Sequence, residues 1–222
     1  LGYFNSIGGT ALKVGSVKVN TINLTRIALD TKTEKEYLEE LKNRTYICLC
    51  ALDAVRHIIQ RNVDKDILPN FSYGLIDFEH LYNTIGFIGI YETMKKFGYV
   101  KFDEFGNATY TEEASKFGKK IFETMRTEAD EFIKEYECNY QINTEQIPGE
   151  SAAAKLMKKD KFFYPKSKIY DLPLYGNQFI PLGIKTSIQE RIKIASEFDG
   201  YCNGGSILHV NIDSPFDSFD KA

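Results

Sequence analysis

The chain has 222 residues, 43% of them hydrophobic and 14% aromatic, which suffices for the core of one large or two small globular domains. Its formal net charge of −3 gives no basic surface that would hold nucleic acid through its phosphates. No apolar run is long enough to span a membrane, and the start, "LGYFNSIGGT", lacks the charged and apolar regions of a signal peptide.

The start of the chain and its cysteines carry further information. Because an initiator Met is absent, we expect a fragment or one product of a divided gene. The four cysteines are Cys48, Cys50, Cys138 and Cys202. Their spacing matches neither a paired zinc site nor a disulfide framework, which favours a reducing cytoplasm. Cys48 and Cys50 fall in an amphipathic pattern and are expected to be small buried hydrophobes.

The first predicted element is a strand over 17–24, after 16 loop-like residues, because "VKVNTINL" alternates and contains β-branched residues. A long helix is predicted from Thr33, whose capping box with Glu36 opens an apolar stripe that reaches about residue 61. The Gly-rich "NTIGFIGI" is expected to lie against the core as strand or turn. A helix with Gly98 just past its end follows.

The second half of the chain alternates strands and helices. A hairpin from "YVKFD" to "ATYT" leads into a helix over 111–137 with a solvated, charged face. Strands or loops ("NYQIN", "NQFIPL", "SILHVNI") then alternate with helices that open at Glu150 and at Ser187, the latter with a capping box to Glu190. This alternation predicts an α/β fold with strand ends and helix starts gathered around a common site.

Two asparagines in the first strand are candidate site residues. Asn20 and Asn23 lie three apart, so their side chains point to opposite faces. A buried amide needs hydrogen-bond partners, which singles out Asn23 either as a satisfied structural residue or as a site residue. Arg26 is interpreted either as a clamp for a carboxylate or phosphate or as half of a surface ion pair.

The stretch "PGESAAAKL" surrounds one carboxylate with small side chains. Helix N-termini attract anions through free N–H groups and the macrodipole. Glu150 is therefore either an acid that complements the dipole or part of a ligand site. The small residues over 151–154 favour close approach of a ligand or of another piece of backbone, because exposure to solvent alone would not require small side chains.

The stretch "GYCNGGSILHVNI" places two glycines before an apolar strand, which indicates positive φ or close backbone approach. His209 is open to two interpretations, a general base or a hydrogen-bonded strand residue. Cys202 would need a charged partner to lower its pKa before it could act as a nucleophile, and none is visible. The chain contains no P-loop, H-E-x-x-H or G-x-S-x-G motif, and we predict no metal ligands in it.

Four stretches together resemble one enzyme family. They are "GSVKVNTINLTRIAL", "HLYNTIGFIGIYE", "TEQIPGESAAAKLMKKD" and "CNGGSILHVNI". They occur in the order found in the anaerobic (class III) ribonucleoside triphosphate reductases, which belong to the glycyl radical superfamily. The resemblance spans residues 2–212. It implies the ten-stranded α/β barrel of these enzymes, of which residues 1–222 would be one central segment without an internal domain boundary.

The resemblance also implies radical chemistry supplied from outside this chain. A glycyl radical, installed by an activase that uses S-adenosylmethionine and an iron–sulfur cluster, generates a cysteine thiyl radical that removes the 3′-hydrogen of a ribonucleotide. Formate or a thiol system supplies the reducing equivalents, ATP and dNTPs act as effectors, and the complete enzyme is expected to be a homodimer.

The parts of the family that carry this chemistry would lie beyond both ends of the sequence. The catalytic cysteines and any ATP-cone would precede Leu1, and the zinc site and glycyl radical loop would follow Ala222. The chain alone is therefore expected to be inactive, with the missing parts in the same protein or in a complementing chain.

Site residues follow from the resemblance motif by motif. The active-site Asn of the family falls on Asn23, with Asn20 as the fallback, and Glu150 is the candidate carboxylate that hydrogen-bonds substrate or formate. Further substrate-binding residues are expected to be Asn177, Gly204, Gly205 and Ser206. The glycines would lie on a later barrel strand and let the radical loop pass close to it.

Two alternatives stay open at this point. The first is another glycyl radical enzyme, of the formate-lyase or dehydratase type, which would not change its substrate choice in response to dNTPs. The second is a non-catalytic binding partner, for which no second chain carrying the cysteines and the radical glycine would exist.

Overall fold

The computed structural model describes residues 15–210, so the predicted loop over 1–14 and the last two residues of "SILHVNI" lie outside the described residues. The strands in this range are β1 (Gly15–Asn23), β2 (Leu81–Ile88), β3 (Val100–Phe102), β4 (Ala108–Tyr110) and β5 (Ile142–Gln146). The α-helices in it are α1 (Leu24–Asp30), α2 (Glu34–Asp64), α3 (Pro69–Ser72), α4 (Ile90–Lys96), α5 (Glu112–Glu135), α6 (Glu150–Phe163) and α7 (Ile188–Phe198).

Three strands form a parallel sheet in the order β1-β2-β5, while β3 and β4 form a separate antiparallel hairpin. The pairing of β1 with β2 runs from Gly15 opposite Leu81 to Asn23 opposite Ile88. Parallel neighbours need long crossover connections, and α2 and α5 lie in the two crossovers of this sheet. The predicted α/β class and the predicted hairpin are confirmed.

The central strand, β2, has different neighbours on its two faces. Ile85 and Phe87 are almost fully buried in the core beneath the helices, where the Phe87 ring lies 5.1 Å from that of Phe122 in α5. On the opposite face, a Cβ on Gly86 would lie 2.3 Å from Cγ1 of Ile147, so only glycine fits. The prediction that "NTIGFIGI" lies against the core is therefore confirmed: its residues up to Ile88 are strand, while Gly89 caps α4 and Ile90 begins it.

Helices α2 and α5 pack against each other over the sheet. Thr33 caps α2 by accepting the Glu36 N–H at 3.2 Å, but the Glu36 carboxylate accepts the Lys32 N–H at 2.8 Å and does not close the predicted box on Thr33. Tyr37 of α2 meets Phe117 of α5 edge to face, with ring centroids 5.2 Å apart. Both helices match their predicted lengths to within one turn at each end.

The first predicted strand ends one residue early, because Leu24 begins a short helix that the alternation pattern does not reveal. Asn23 caps this helix, its Oδ1 accepting the Arg26 N–H at 3.1 Å. The β-branched residues of "TINLTRI" favour a strand, but the cap and the burial of Leu24 and Ile27 override that preference.

The last predicted strand-or-loop segments are largely irregular. "NQFIPL" contains no strand. Gly205 makes a single parallel bridge with Glu145 on the edge of β5 that β2 leaves free. Two backbone hydrogen bonds support the bridge, from Gly204 N–H to Thr144 O at 3.0 Å and from Gln146 N–H to Gly205 O at 3.1 Å. Up to residue 210, this short pairing is all that the structure contains of the predicted later strand.

The cysteines differ in burial: Cys48 and Cys202 are buried, Cys138 is partly exposed and Cys50 is exposed. The prediction of a buried hydrophobe therefore holds for Cys48 and is wrong for Cys50, which lies on the solvent side of α2. Within residues 15–210, no group of three or more His, Cys, Asp or Glu side chains is arranged to hold a metal ion. Every helix in that range is too short or too polar to cross a membrane.

Candidate active site

The carboxyl ends of the three parallel strands lie at one edge of the sheet, here called the carboxyl edge. Asn23, Gly89 and Gly149 cap the helices α1, α4 and α6, which begin there. A loop of residues 172–178, here called the cover loop, is anchored at this edge because the Gly89 N–H donates to Gly176 O at 2.8 Å. In parallel α/β sheets, ligands bind at such edges, close to helix N-termini.

Asn23 is partly exposed and uses both ends of its amide. While Oδ1 caps α1, Nδ2 donates to Oδ2 of Asp160 at 2.8 Å. An amide has two N–H donors and two lone pairs on its oxygen, so one of each remains for a ligand. The interpretation of Asn23 as a satisfied structural amide is therefore correct, and its role toward a substrate stays a prediction.

Asp160, near the end of α6, is the centre of a buried polar cluster. The residue is 2% exposed. Its Oδ2 accepts hydrogen bonds from the hydroxyl of Tyr175 at 2.7 Å and from the amide of Asn23. Its Oδ1 accepts from Nη1 of Arg26 at 3.1 Å. A buried carboxylate is costly unless it is both paired and hydrogen-bonded, and Asp160 is both. We call Asn23, Arg26, Asp160 and Tyr175 the sealed cluster.

The sequence interpretation does not find Asp160, because "KLMKKDKFF" is typical of a charged, solvated helix face. A signal is nevertheless present in the spacing. Ala153, Met157 and Asp160 follow one another at helical intervals and so share one face of α6. Since Ala153 and Met157 are apolar, the face they share with Asp160 is the buried one.

Arg26 binds carboxylates of the protein itself. Besides its contact with Asp160, its Nε donates to Oδ2 of Asp30 at 3.0 Å. The rings of Phe163 and Tyr164 lie 5.0 and 5.2 Å from its guanidinium carbon. Arg26 therefore forms ion pairs, one of them with the buried Asp160, and a role as a clamp for a ligand stays a prediction.

The Tyr175 hydroxyl acts as a donor in the sealed cluster. Its side chain is completely buried, and this burial raises the pKa of Tyr175, with the hydrogen bond to Asp160 raising it further. The raised pKa keeps the hydroxyl protonated, so that it can donate to Asp160.

Asn20 lies on the other face of β1, as the spacing predicts. It pairs in register with Ile85 of the core beneath the helices, whereas Asn23 pairs with Ile88, which packs on the opposite face against Ala153. Both asparagines nevertheless line one cavity of about 330 Å³ at the free edge of β1. A role for Asn20 in binding a substrate stays a prediction.

The structure brings two of the predicted residues, Glu150 and Asn177, into direct contact. Glu150 is exposed as the first residue of α6, and Nδ2 of Asn177 donates to its Oε1 at 2.8 Å. Both line a cavity of about 290 Å³ that His209 also borders. The backbone N–H of His209 donates to Oε1 of Gln178 at 3.2 Å, which places His209 beside the cover loop. We call Glu150 and Asn177 the open pair.

The small residues after Glu150 have two different environments. Ala153 is fully buried against Ile88 and Tyr175, where its size lets α6 pack closely on the end of β2. Ser151 and Ala152 are exposed. Close approach of another part of the chain is therefore confirmed at Ala153, while approach of a ligand to the exposed residues stays a prediction.

The predicted residues Gly204, Gly205 and Ser206 lie beside β5. A Cβ on Gly204 would lie 2.9 Å from Nδ2 of Asn143, and Gly205 has a φ of 125°, so both positions require glycine. The Ser206 hydroxyl donates to the Asp199 carboxylate at 2.5 Å. Close backbone approach at the two glycines is confirmed, and binding of a substrate by the three residues stays a prediction.

Cys202, immediately before this segment, is not an activated thiol. It is 1% exposed, and burial raises the pKa of its thiol, with Asp199 and Glu145 raising it further. A reactive cysteine needs a lowered pKa and access to solvent, and Cys202 has neither.

Comparison with known proteins identifies the family of this chain. The family model of anaerobic ribonucleoside-triphosphate reductase matches residues 4–222. The chain belongs to the anaerobic ribonucleoside-triphosphate reductase family. The resemblance in the four stretches is thereby confirmed, and the alternative of a formate-lyase or dehydratase type is not supported.

Solved structures of anaerobic ribonucleotide reductases are similar to this chain. The Thermotoga maritima enzyme with glycerol in the active site is 36% identical, with a TM-score of 0.87, and the match covers 97% of this chain and 35% of that one. A further anaerobic ribonucleotide reductase is 36% identical with a TM-score of 0.89, covering 98% of this chain and 35% of its own. The T. maritima enzyme in complex with dATP and CTP is 36% identical with a TM-score of 0.86, covering 96% and 35%. This chain therefore spans about a third of the length of these reductases. A comparison with curated proteins gave no match.

Proposed function

We propose that this chain forms the central part of the ten-stranded α/β barrel of an anaerobic ribonucleotide reductase, which reduces ribonucleoside triphosphates to deoxyribonucleotides for DNA synthesis. Residues 1–222 are then one segment of a larger catalytic domain, without an internal boundary. The observation that carries the proposal is that Asn23 and Glu150 both lie at the carboxyl edge. The cover loop links them, since Tyr175 reaches the partner of Asn23 and Asn177 reaches Glu150.

Asn23 and Glu150 are proposed to orient the substrate in different ways. The remaining N–H and lone pair of Asn23 suit a ribose hydroxyl, which both donates and accepts hydrogen bonds. The Glu150 carboxylate only accepts hydrogen bonds and suits a second hydroxyl. The N–H groups of the first turn of α6 suit an anion such as phosphate or formate. Further substrate contacts are proposed for Asn20, Asn177, Gly204, Gly205 and Ser206.

The radical-bearing residues are proposed to lie in other parts of the complete enzyme, because the cysteines of this chain do not fit that role. Cys48 and Cys202 pack in the core, and Cys50 is exposed on α2. Cys138 precedes β5 and so lies toward the amino ends of the strands. A thiyl radical from elsewhere in the enzyme would remove the 3′-hydrogen of the substrate, while residues at the carboxyl edge hold the ribose and limit access of water.

Cofactors and partners are proposed from the family. They comprise a glycyl radical installed by an S-adenosylmethionine activase, formate or a thiol system as reductant, ATP and dNTP effectors, zinc in a C-terminal part, and a homodimer in the cytoplasm. The T. maritima structures with dATP in the specificity site and with dATP and CTP support the nucleotide effectors and substrates.

The experiment is anaerobic ribonucleotide reduction by the complete enzyme carrying Asn23→Ser or Glu150→Gln. Serine keeps an oxygen that can cap α1 but lacks the amide. If each residue positions a hydroxyl in the transition state, kcat/KM should fall about 100-fold in each variant. Ser187→Ala, which removes the cap of α7, is the control and should keep the wild-type rate.

The possible outcomes distinguish the proposed roles of the two residues from the proposed function of the enzyme. A wild-type rate in either variant would contradict the role of that residue alone. Failure of the complete, activated wild-type enzyme to reduce any ribonucleotide would contradict the proposed function.

A further inference from the structure

Glu92, in the first turn of α4, has a buried carboxyl group that none of the roles above explains. The residue is 2% exposed. Its Oε1 accepts a hydrogen bond from the Gly176 N–H at 3.0 Å, across 84 residues of sequence. Its Oε2 is buried and has no hydrogen-bond partner among residues 15–210. A half-satisfied buried carboxyl is costly, so its contact with the cover loop calls for an explanation.

Gly176 is held from two sides, by α4 and by the residue that caps it. While Glu92 accepts its N–H, its carbonyl oxygen accepts from the Gly89 N–H at 2.8 Å. Gly89 is fixed in turn, because its own carbonyl oxygen accepts from the hydroxyls of Thr25 and Thr93 at 3.1 and 2.8 Å. A Cβ on Gly176 would lie 2.5 Å from Cγ of Pro181, so the backbone fits tightly at this point. Gly176 is therefore the point at which the backbone of the cover loop is held to α4 and its cap.

The two residues beside Gly176 are those through which the cover loop reaches the candidate site. Tyr175 donates to Asp160, which holds Asn23. Asn177 donates to Glu150. A displacement of Gly176 would therefore move Tyr175 of the sealed cluster and Asn177 of the open pair together.

We propose that Glu92 is a positioning residue of the candidate active site, which sets Tyr175 and Asn177 in place by holding Gly176. The proposal rests on the proposed function, since it assumes that Asn23 and Glu150 bind the substrate. Glu92 itself does not touch the substrate and acts only through the cover loop.

The neutral form of the carboxyl group suits this role. Burial raises the pKa of Glu92 to about 7, although the backbone N–H groups of Glu92 itself and of Gly176 lower it. Asp171 raises the pKa further and Lys95 lowers it, and the two neighbours form an ion pair with each other. The phenol groups near Glu92 are those of Tyr91, Tyr110 and Tyr175. A neutral carboxyl accepts the Gly176 N–H through its carbonyl oxygen. Glutamine has an equivalent carbonyl oxygen and should accept the same hydrogen bond.

The test compares Glu92→Leu with Glu92→Gln in the complete enzyme. Leucine removes the acceptor and should lower kcat/KM for ribonucleotide reduction by about 10- to 100-fold, because misplacement of a site by about 1 Å has effects of that size. It should also accelerate hydrogen exchange at the Gly176 amide and across 172–178. Glutamine should restore both values to within about twofold of wild type.

Glu128→Leu and Glu128→Gln are the matched controls. Glu128 is also a buried glutamate, 7% exposed, but it lies on α5 and pairs with Lys42. Its variants should leave exchange over 172–178 unchanged, whatever they do to overall stability. If Glu92→Leu fails to fold, Glu92→Asp takes its place, because the shorter side chain withdraws the acceptor from Gly176.

Each outcome decides one of the two proposals. Unchanged exchange over 172–178 in Glu92→Leu, or a glutamine variant as impaired as the leucine variant, would overturn the positioning role. If the wild-type enzyme reduces no ribonucleotide, the proposed function fails, and hydrogen exchange still decides whether Glu92 holds the cover loop.

Discussion

The sealed cluster and the open pair lie at the same carboxyl edge but are built in different ways. Asp160 in the sealed cluster is almost inaccessible and is satisfied by Asn23, Arg26 and Tyr175. Glu150 in the open pair is exposed and accepts a hydrogen bond from Asn177. Buried ionic groups affect stability strongly when a partner is removed, whereas exposed ones have little effect. The first arrangement is therefore suited to fix geometry, and the second to meet a ligand.

Of the substitutions that test this comparison, removal of the Asp160 carboxylate should have the largest effect on stability. Asp160→Ala leaves the Arg26 guanidinium, the Asn23 amide and the Tyr175 hydroxyl without their shared acceptor. We expect the free energy of unfolding of the complete enzyme to fall by about 4 kcal/mol. Denaturant unfolding measures the change.

Tyr175→Phe serves as the graded comparison for Asp160→Ala, because it removes one donor and leaves the carboxylate paired with Arg26. Tyr175→Phe should lower the free energy of unfolding by about 2 kcal/mol. Tyr46→Phe is the control, since the Tyr46 hydroxyl contacts that of Tyr136 at an exposed site, and it should have almost no effect. A loss below about 1 kcal/mol for Asp160→Ala would show that the sealed cluster does not fix the edge.

Glu92 sharpens the comparison, because it is buried like Asp160 but lacks a direct cationic partner among the described residues. Its pKa is raised from 4.5 to about 7, so the folded state holds a proton that the unfolded state has lost between those values. The stabilisation is fully present below about pH 4.5 and is lost as the pH rises through about 7. The loss should amount to about 3 kcal/mol.

Glu92→Gln tests this pH dependence. Glutamine does not titrate, so the difference in free energy of unfolding between wild type and variant should change across this pH range and be constant above it. Denaturant unfolding at both ends of the range measures the difference. A constant difference throughout would show that Glu92 is ionised in the folded state at all these pH values.

The helices could be predicted because their signals are local. Thr33 and Thr111 accept N–H groups three residues ahead, and the apolar stripes that follow need no knowledge of the rest of the chain. For a similar reason the β2 segment could be predicted as strand or turn, since its glycine and β-branched residues do not suit a helix interior.

The sealed cluster could not be predicted in the same way, because its contacts are distant in sequence. Asp160 lies 137 residues from Asn23 and 134 from Arg26, and no local pattern records either distance. Asn23 could be singled out as an amide that needs partners, yet its partner and its capping of α1 became apparent only from the folded chain. The motifs predicted Glu150 and Asn177, but only the structure shows their contact.

The smallest expected effect on stability belongs to the open pair. Glu150→Gln keeps the oxygen that accepts from Asn177 and loses only the favourable interaction of a negative charge with the N-terminus of α6. We expect a loss of about 0.5 kcal/mol in the free energy of unfolding of the complete enzyme. Glu112→Gln is the matched control, because Glu112 is likewise the exposed first residue of a helix, α5, and should lose a similar amount.

The two glutamates should differ in substrate binding instead. Only Glu150→Gln should weaken binding of a ribonucleotide to the complete enzyme, as measured by equilibrium binding without turnover, because only Glu150 lies at the carboxyl edge. A loss of stability above about 2 kcal/mol for Glu150→Gln alone would show that the open pair fixes the edge as the sealed cluster does. Equal substrate affinity in the two variants would mean that the exposed carboxylate does no more than complement the helix dipole.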